Sequence, residues 1–542
     1  MKNTIQTDQY VIGVDVGTGS ARAGIFTLDG KLLTSCKQDI HLYPSDGAKY
    51  EQSSQNIWNA VCSSVKAAML AAGLSPNQVS GIGFDATCSL VVIGPDNAPL
   101  PVDQHGIAER NVIVWMDQRA TQEAQRINQT KHPVLNYIGG AISPEMETPK
   151  LLWLKEHLPQ TYQKAEYFFD LTDFLTWQAT GSLARSICTL VCKWTYLAHE
   201  QRWDDSYFET MGLADLTEGK YQKIGTDIVS PGTALGEGLT ELAAQQLGLL
   251  AGTAVAAGLI DAHAGAIGSI GAVDHQGDAN PISTMAYVFG TSACTLTTST
   301  TATKVDGVWG PYYAAMLPNL WLNEAGQSAA GAAIDHLISM HPAYPEACRL
   351  AQKQNLAVSM WLSSQVKARL SNLSDAVLLA KTLHVVPEFL GNRSPNADPQ
   401  AKAIIAGLDM DKSLASLTKL YVAGITGIAY GLRQILEAQA KEGLQVDKIV
   451  VSGGAGQDPL IRQMLADATG VQVVAPASPE PMLLDSAMLA ALASGAYSDL
   501  TDAMKNMSRF GSQYLPERRH HAVHASKYDA SCLLQRVAKE LQ

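Results

Sequence analysis

The chain has 542 residues, 46% hydrophobic and 17% charged, with 44 Gly and 23 Pro; this excludes disorder, a collagen-like repeat and a small disulfide scaffold, and the length allows about two to five domains, of which two large ones are expected. A formal charge of -12, from 39 Lys+Arg against 51 Asp+Glu, leaves no broad cationic footprint, so neither nucleic acid nor an anionic membrane is an expected partner and any anionic ligand has to be held locally. The eight cysteines are scattered and form no CxxC pair, which argues against a disulfide framework or a zinc site and fits a reducing cytoplasm.

The N-terminal run is polar and enters a strand without an apolar leader core or cleavage site, so secretion is not expected. A strand over 10–15, a glycine turn over 17–20, a strand over 21–28, an Asp29-Gly30 turn and a strand over 31–35 follow one another; Asp-Gly between apolar runs marks a hairpin. Ile57, Val61, Val65, Ala68 and Met69 fall on one face of a helix over 54–72, and a strand over 79–85 follows. That order predicts an α/β domain with a mixed sheet. The small-apolar stretch 249–273 is interrupted by Asp261 and His263 and is rich in Gly and Ala, so no membrane span is expected there.

Near residue 280 the layout repeats, with a strand over 284–289, a Gly290-Thr291-Ser292 turn and a return strand over 294–298. A helix over 414–440, a strand over 448–452 running into Gly453-Gly454-Ala455-Gly456, a helix over 459–469, a strand over 471–475 and a helix over 486–495 complete the second half. The duplication predicts two similar α/β lobes, over residues 1–275 and 276–500, with a ligand cleft between them. A C-terminal extension over 501–542 carries a terminal amphipathic helix and the cluster Arg518-Arg519-His520-His521, read as a solvated surface.

Three glycine-rich turns carry the chemistry. Asp15-Val16-Gly17-Thr18-Gly19-Ser20-Ala21-Arg22 ends a strand; Gly17 and Gly19 bring backbone N–H groups close to a phosphate, Thr18 and Ser20 add hydroxyls, Arg22 adds a planar cation, and Asp15 offers a carboxylate for Mg²⁺. An ordinary glycine hairpin is the alternative, and no Walker loop is present. Gly290, Thr291 and Ser292 repeat the device, so that two facing turns would grip one polyphosphate. Gly453, Gly454, Ala455 and Gln457, where a strand meets a helix, leave room for a flat base against the backbone, or form a simple turn.

Asp261, among small apolar neighbours, suits a general base aimed at a hydroxyl; the alternative is a helix cap. His263 reads as a packed histidine. Lys193, Glu324, the tract Asp85-Ala86-Thr87, and Asp117 with Arg119 offer the mixed donors and acceptors that a polyhydroxylated molecule needs, or else form surface ion pairs.

On the motifs Asp15–Arg22, Trp115-Met116-Asp117-Gln118-Arg119, Lys150-Leu151-Leu152-Trp153, Asp261 in its Gly-Leu-Ile-Asp-Ala-His-Ala-Gly setting, Gly290–Ser292 and Gly453–Gly456, the chain resembles the FGGY carbohydrate kinases over about residues 10–500. The resemblance implies two tandem RNase H-like domains of the actin/sugar kinase/heat-shock ATPase type, with ATP and Mg²⁺ in the interdomain cleft and a sugar hydroxyl as acceptor. It places the catalytic base at Asp261, the metal at Asp15 and Asp261, the phosphate contacts on the two hairpin turns and adenosine on Gly453–Gln457. The tracts 81–88, 192–196 and 388–399 look like pentulose kinases, the D-ribulokinase group above all, which implies a pentulose held by Lys193, Asp261 and Glu324. Kinases for L-ribulose, ribitol or D-xylulose, a non-kinase ATPase and a sugar-sensing regulator are the rival readings, and a homodimer is compatible with the resemblance. Glu145 and Glu147 depart from the usual small or aromatic residues of the first family signature, Thr426 stands where many relatives carry Glu, and Gln457 where another polar residue is common.

Overall fold

A computed structural model describes residues 9–273 and 279–541; the expected lobe boundary at 275/276 lies outside the described residues. In the first half β1 (Tyr10–Val16), β2 (Ser20–Thr27) and β3 (Leu32–Asp39) form an antiparallel meander. Helix α1 (Ser54–Ala72) follows, opened by the Ser53 side chain, which accepts the Asn56 N–H, and closed by Gly73 in the left-handed region. Its apolar face covers the sheet, to which β4 (Val79–Ala86) adds in parallel beside β1. Two short strands, β5 (Ala254–Val255) and β6 (Leu259–Ile260), also pair with β4 in parallel, and the sheet order is β5-β4-β1-β2-β3.

The second half repeats this plan. Strands β7 (Thr284–Phe289), β8 (Ala293–Ser299), β9 (Trp309–Tyr313), β10 (Trp321–Gln327), β11 (Lys448–Ser452), β12 (Gln472–Pro476) and β13 (Phe510–Tyr514) lie in the order β9-β10-β8-β7-β11-β12-β13. β7 pairs antiparallel with β8 and parallel with β11, and β11 parallel with β12, as β1 does with β2 and β4, and β4 with β5. The duplication legible in the turns is therefore a duplication of sheet topology.

Three helices couple the halves. Helix α2 (Ile187–Lys193) and helix α3 (Asp261–Ile270) belong to the first half, and α3 packs against β7 of the second sheet. After α4 (Leu414–Lys441) and α5 (Pro459–Thr469), helix α6 (Pro481–Ala493) crosses back over β1 and β4 and packs on α3. Gly13 and Gly83, paired in register, make that approach possible: a Cβ would lie 1.9 Å from the Leu483 carbonyl oxygen at the first and 2.1 Å from that of Ser486 at the second. Helix α6 starts five residues before the expected 486, with Pro481 in its first turn; its residues from Leu483 to Ala491 are buried on all sides, so no polar face marks its phase.

Residues 510–541 pack onto the second lobe, whereas the helix over Leu500–Met507 packs on α3 and α6. β13 forms the edge of the second sheet, and α7 (His521–Glu540) packs on α4 and α5. Arg518, Arg519 and His521 of the basic cluster are exposed, as expected, but His520 is buried and the cluster also anchors this segment: Arg519 Nη2 donates to Asp375 Oδ1 at 2.7 Å, and His520 places Nε2 2.8 Å from the same oxygen. Among the described residues no helix is long and apolar enough to cross a membrane, and all eight cysteines are free thiols.

Candidate functional site

The two hairpin turns close alike. Gly17 N–H donates to the Ser20 carbonyl at 3.0 Å in the first lobe, and Gly290 N–H to the Ser292 carbonyl at 2.9 Å in the second. Thr18 from one turn and Gly290, Thr291 and Ser292 from the other line a single cavity of about 220 Å³, shared with Thr87, Asp261, Lys193 and Glu324. Trp115 Nε1–H donates to Thr18 Oγ1 at 2.9 Å and Gln52 Nε2 to its carbonyl at 2.7 Å, which fixes the turn from behind. Gly17, Gly19 and Ser20 complete the turn without lining this cavity; Gly19 is exposed, and nothing lies within 4 Å of where its Cβ would be, so its backbone is open to a ligand.

Asp261 follows β6 as the first residue of α3 and is half-buried at the cavity floor. The helix cap is Ile260; among the described residues the Asp261 carboxylate accepts the adjacent Ala262 N–H, at 2.8 Å on Oδ1, and the residue lines the cavity. Burial pushes its carboxyl up to about 6, and the charge of Asp15 adds to the shift.

Asp15 is the penultimate residue of β1, in register with Asp85 on β4. Arg22, expected to hold phosphate, is engaged there: Nε donates to Asp15 Oδ2 at 3.0 Å, Nη2 pairs with the same oxygen, and Nη1 reaches Glu480 Oε2 at 3.1 Å. Asp85 does not reach the cavity. It is fully buried against α6, accepts the Ser486 hydroxyl at 2.5 Å and leaves Oδ1 unpartnered; burial, followed by the neighbouring Asp15 charge, drives its carboxyl well upward, toward the neutral acid. Ala86 is likewise fully buried, so of the expected tract Asp85-Ala86-Thr87 only Thr87 faces the cavity.

Asp117 is also displaced from its expected role. Fully buried, it accepts the Tyr50 N–H at 2.6 Å and a two-point pair from Arg119, whose Nη2 also reaches Glu51 at 2.9 Å. This buried network holds the loop that carries Trp115.

Lys193, at the end of α2, and Glu324, in the middle of β10, form the opposite wall. Lys193 Nζ lies 4.0 Å from Glu324 Oε2 and 4.9 Å from the centre of the Trp309 ring. His263 is fully buried, as a packed histidine should be, and it also sets Nε2 3.3 Å from the same Glu324 oxygen. Burial alone would raise the Glu324 carboxyl; Lys193, then His263, hold it at about 2, so it stays ionised. The same pair keeps Lys193 charged against the cost of burial. Glu145, Trp309 and Arg393 line the cavity without having been singled out as site residues, and Arg393 lies 5.4 Å over the Trp309 ring, so two cations flank one indole. Arg393 falls within the tract that resembled pentulose kinases, which was the one sequence signal for it.

A second cavity of about 380 Å³ lies beside Gly454, Ala455 and Gln457, with Gly331, Tyr421 and Pro459 among its walls. Gly453 has a different duty: at φ 85° its Cβ would sit 2.5 Å from the Phe289 carbonyl oxygen, so only glycine lets the chain turn there. Gly454 has nothing within 4 Å of its Cβ position and leaves the cavity open.

Residues 10–268 match the model of the FGGY family of carbohydrate kinases, N-terminal domain, and residues 285–494 that of its C-terminal domain. The chain is 44% identical to a human FGGY carbohydrate kinase domain-containing protein over 540 residues, covering 98% of this chain and 97% of that one. It is 35% identical to a D-ribulokinase of Saccharomyces cerevisiae over 540 residues, covering 94% of this chain and 75% of that one. Among solved structures it is similar to a xylulose kinase from Rhodospirillum rubrum, with a TM-score of 0.79 at 20% identity and coverage of 98% and 99% of the two chains.

Proposed function

The chain belongs to the FGGY family of carbohydrate kinases and is a sugar kinase; on that premise we propose that it transfers the γ-phosphoryl group of ATP to the terminal hydroxyl of D-ribulose, giving D-ribulose 5-phosphate and ADP. The observation that carries this reading is the single cavity in which the Asp261 carboxylate, raised to about 6, lies between the two hairpin turns and the Lys193–Glu324 wall. The 35% identity to a yeast D-ribulokinase over 94% of the chain supports the choice of sugar.

In this reading the sugar lies against Lys193, Glu324 and Thr87, where an ammonium, a carboxylate and a hydroxyl match the mixed donors and acceptors of a ketopentose. The phosphates of ATP run between Thr18 and Gly290–Ser292, and the base occupies the cavity at Gly454, Ala455 and Gln457. Asp15 and Asp261 offer hard carboxylate oxygens whose charges already act on each other, a donor set that fits Mg²⁺. Bound there, Mg²⁺ would supply positive charge to the phosphate oxygens. Asp261 takes the proton of the terminal hydroxyl as that oxygen forms its bond to phosphorus and the bond to the ADP oxygen breaks. Phosphoryl transfer leaves the protein mainly positioning and charge stabilisation to perform, so the buried, fixed charges of the wall matter more than any covalent step. The free thiols fit a cytoplasmic setting for this reaction.

The test is ADP release measured across D-ribulose, L-ribulose, D-xylulose, ribitol and ketohexoses. D-ribulose should show the highest kcat/KM; a clear preference for another acceptor overturns the choice of sugar, and ADP release indifferent to every acceptor overturns the whole reading.

A further inference from the structure

Both ring nitrogens of His263 are committed. Nε2 lies 3.3 Å from Glu324 Oε2, and Nδ1 lies 3.3 Å from Cys188 Sγ, in a ring with no solvent exposure. Cys188 stands on α2, five residues before Lys193, so α2 reaches Glu324 twice: directly through Lys193 and indirectly through Cys188 and His263. His263 itself stands on α3, two residues beyond Asp261. Glu324 comes from the second sheet, whereas the two side chains paired with its Oε2, Lys193 and His263, come from the first half of the chain; Arg393 of the second half adds a further positive charge nearby.

We infer that His263 is a positioning residue that orients the Glu324 carboxylate for the sugar, and that Cys188 fixes the imidazole for this task. The inference rests on the reading in which Glu324 binds the acceptor. Lys193 stands at the 4.0 Å limit of an ion pair and its ammonium can rotate, so it attracts the carboxylate without fixing the plane of that group. The imidazole is planar, locked by burial, and directs one N–H at one oxygen. With Oε2 taken by His263, Oε1 is left to accept a sugar hydroxyl. Because α3 carries both Asp261 and His263, any shift of that helix moves the proposed base and the sugar's carboxylate together.

The test compares His263→Ala, His263→Gln, Glu324→Gln and the double variant His263→Ala/Glu324→Gln in the full chain, with KM for D-ribulose and for ATP measured separately beside thermal unfolding. His263→Ala should raise KM for the sugar by about 10- to 100-fold, the range for losing a hydrogen bond to a charged group, and leave KM for ATP within about twofold. His263→Gln keeps a side-chain N–H able to reach Glu324 and should recover most of the loss. In the Glu324→Gln background, removing His263 should cost little more. Equal rises in both KM values, full multiplication of the two single losses, or no recovery in His263→Gln would overturn the inference. If His263→Ala does not fold, Cys188→Ala carries the same KM comparison, with a smaller expected rise confined to the sugar. The sulfurs of Cys188 and Cys192 and a His263 ring nitrogen lie within 4.8 Å of one another, so metal content is measured as well; a stoichiometric metal would make Nδ1 a ligand and overturn the role given to Cys188. A wild-type protein inactive on every ketopentose would instead count against the proposed function, whereas an active wild type with an unaltered His263→Ala counts against this inference alone.

Discussion

Replacing Asp261 by Asn should separate stability from catalysis in opposite directions. The native carboxyl is pushed from 3.8 to about 6, chiefly by burial and then by Asp15. Such a displacement disfavours the ionised native state by on the order of 3 kcal/mol at pH 7, an upper bound for a group at a cavity floor. The sign follows from the raised value: below the unfolded pKa both states are protonated and nothing is lost, and above about 6 the full penalty applies. Asn keeps an oxygen to accept the Ala262 N–H, so the substitution removes the charge and retains the contact. Urea unfolding at pH 7.5 should therefore show Asp261→Asn more stable than wild type, with the gain falling to about half at pH 5. ADP release under the same conditions should fall by about 10²- to 10⁴-fold, the range for a positioned base. A variant less stable than wild type at pH 7.5, or one with near-normal turnover, would refute the reasoning.

Because Asp261 must be ionised to accept a proton, kcat/KM should be flat above its pKa of about 6 and fall roughly tenfold per pH unit below it; a pH profile with its acid limb near 4 would contradict the assignment. Gly454→Val should raise KM for ATP well above its effect on KM for the sugar while leaving thermal unfolding nearly unchanged, since the side chain enters only the open cavity. Gly453→Ala should instead lose about 1–3 kcal/mol of stability in denaturant titration, because it forces a side chain into the left-handed region against the Phe289 carbonyl. Asp117→Asn should cost about 1–3 kcal/mol, because it removes the charge and one acceptor of the two-point pair with buried Arg119 while Glu51 still holds Nη2, and the folded fraction should keep its KM for the sugar; a sugar-specific rise in KM with normal stability would restore Asp117 as a ligand.

What the sequence made legible was local. The β1–β2 and β7–β8 hairpins announce themselves through glycine turns between apolar runs, and α1 through a one-sided apolar face that matches its observed bounds. Helix α6 was placed late because its residues are buried against both β1 and α3, which removes the polar face that would set its phase. Thr18, Gly290, Thr291, Ser292, Asp261, Lys193 and Glu324 do converge on one cavity, as the turn chemistry and the family resemblance led one to expect. Asp85 carries the right chemistry but is consumed by Ser486, 401 positions away, a partner that only the folded chain brings near; Asp117 pairs with Arg119, two positions on, the ion pair open in the sequence as the alternative, but buried with Glu51 instead of lying at the surface. The same limit hid the contacts of His263: Cys188 lies 75 positions away and Glu324 61 positions away, and no local pattern joins them.

The most direct test is a crystal structure with D-ribulose and a non-hydrolysable ATP analogue bound together. The account predicts the γ-phosphoryl group between Thr18 and Gly290–Ser292, with the terminal sugar hydroxyl about 2.6–3.2 Å from an Asp261 oxygen and another hydroxyl on Glu324. Nucleotide bound outside this cleft, or a sugar whose terminal hydroxyl faces away from Asp261, would contradict it.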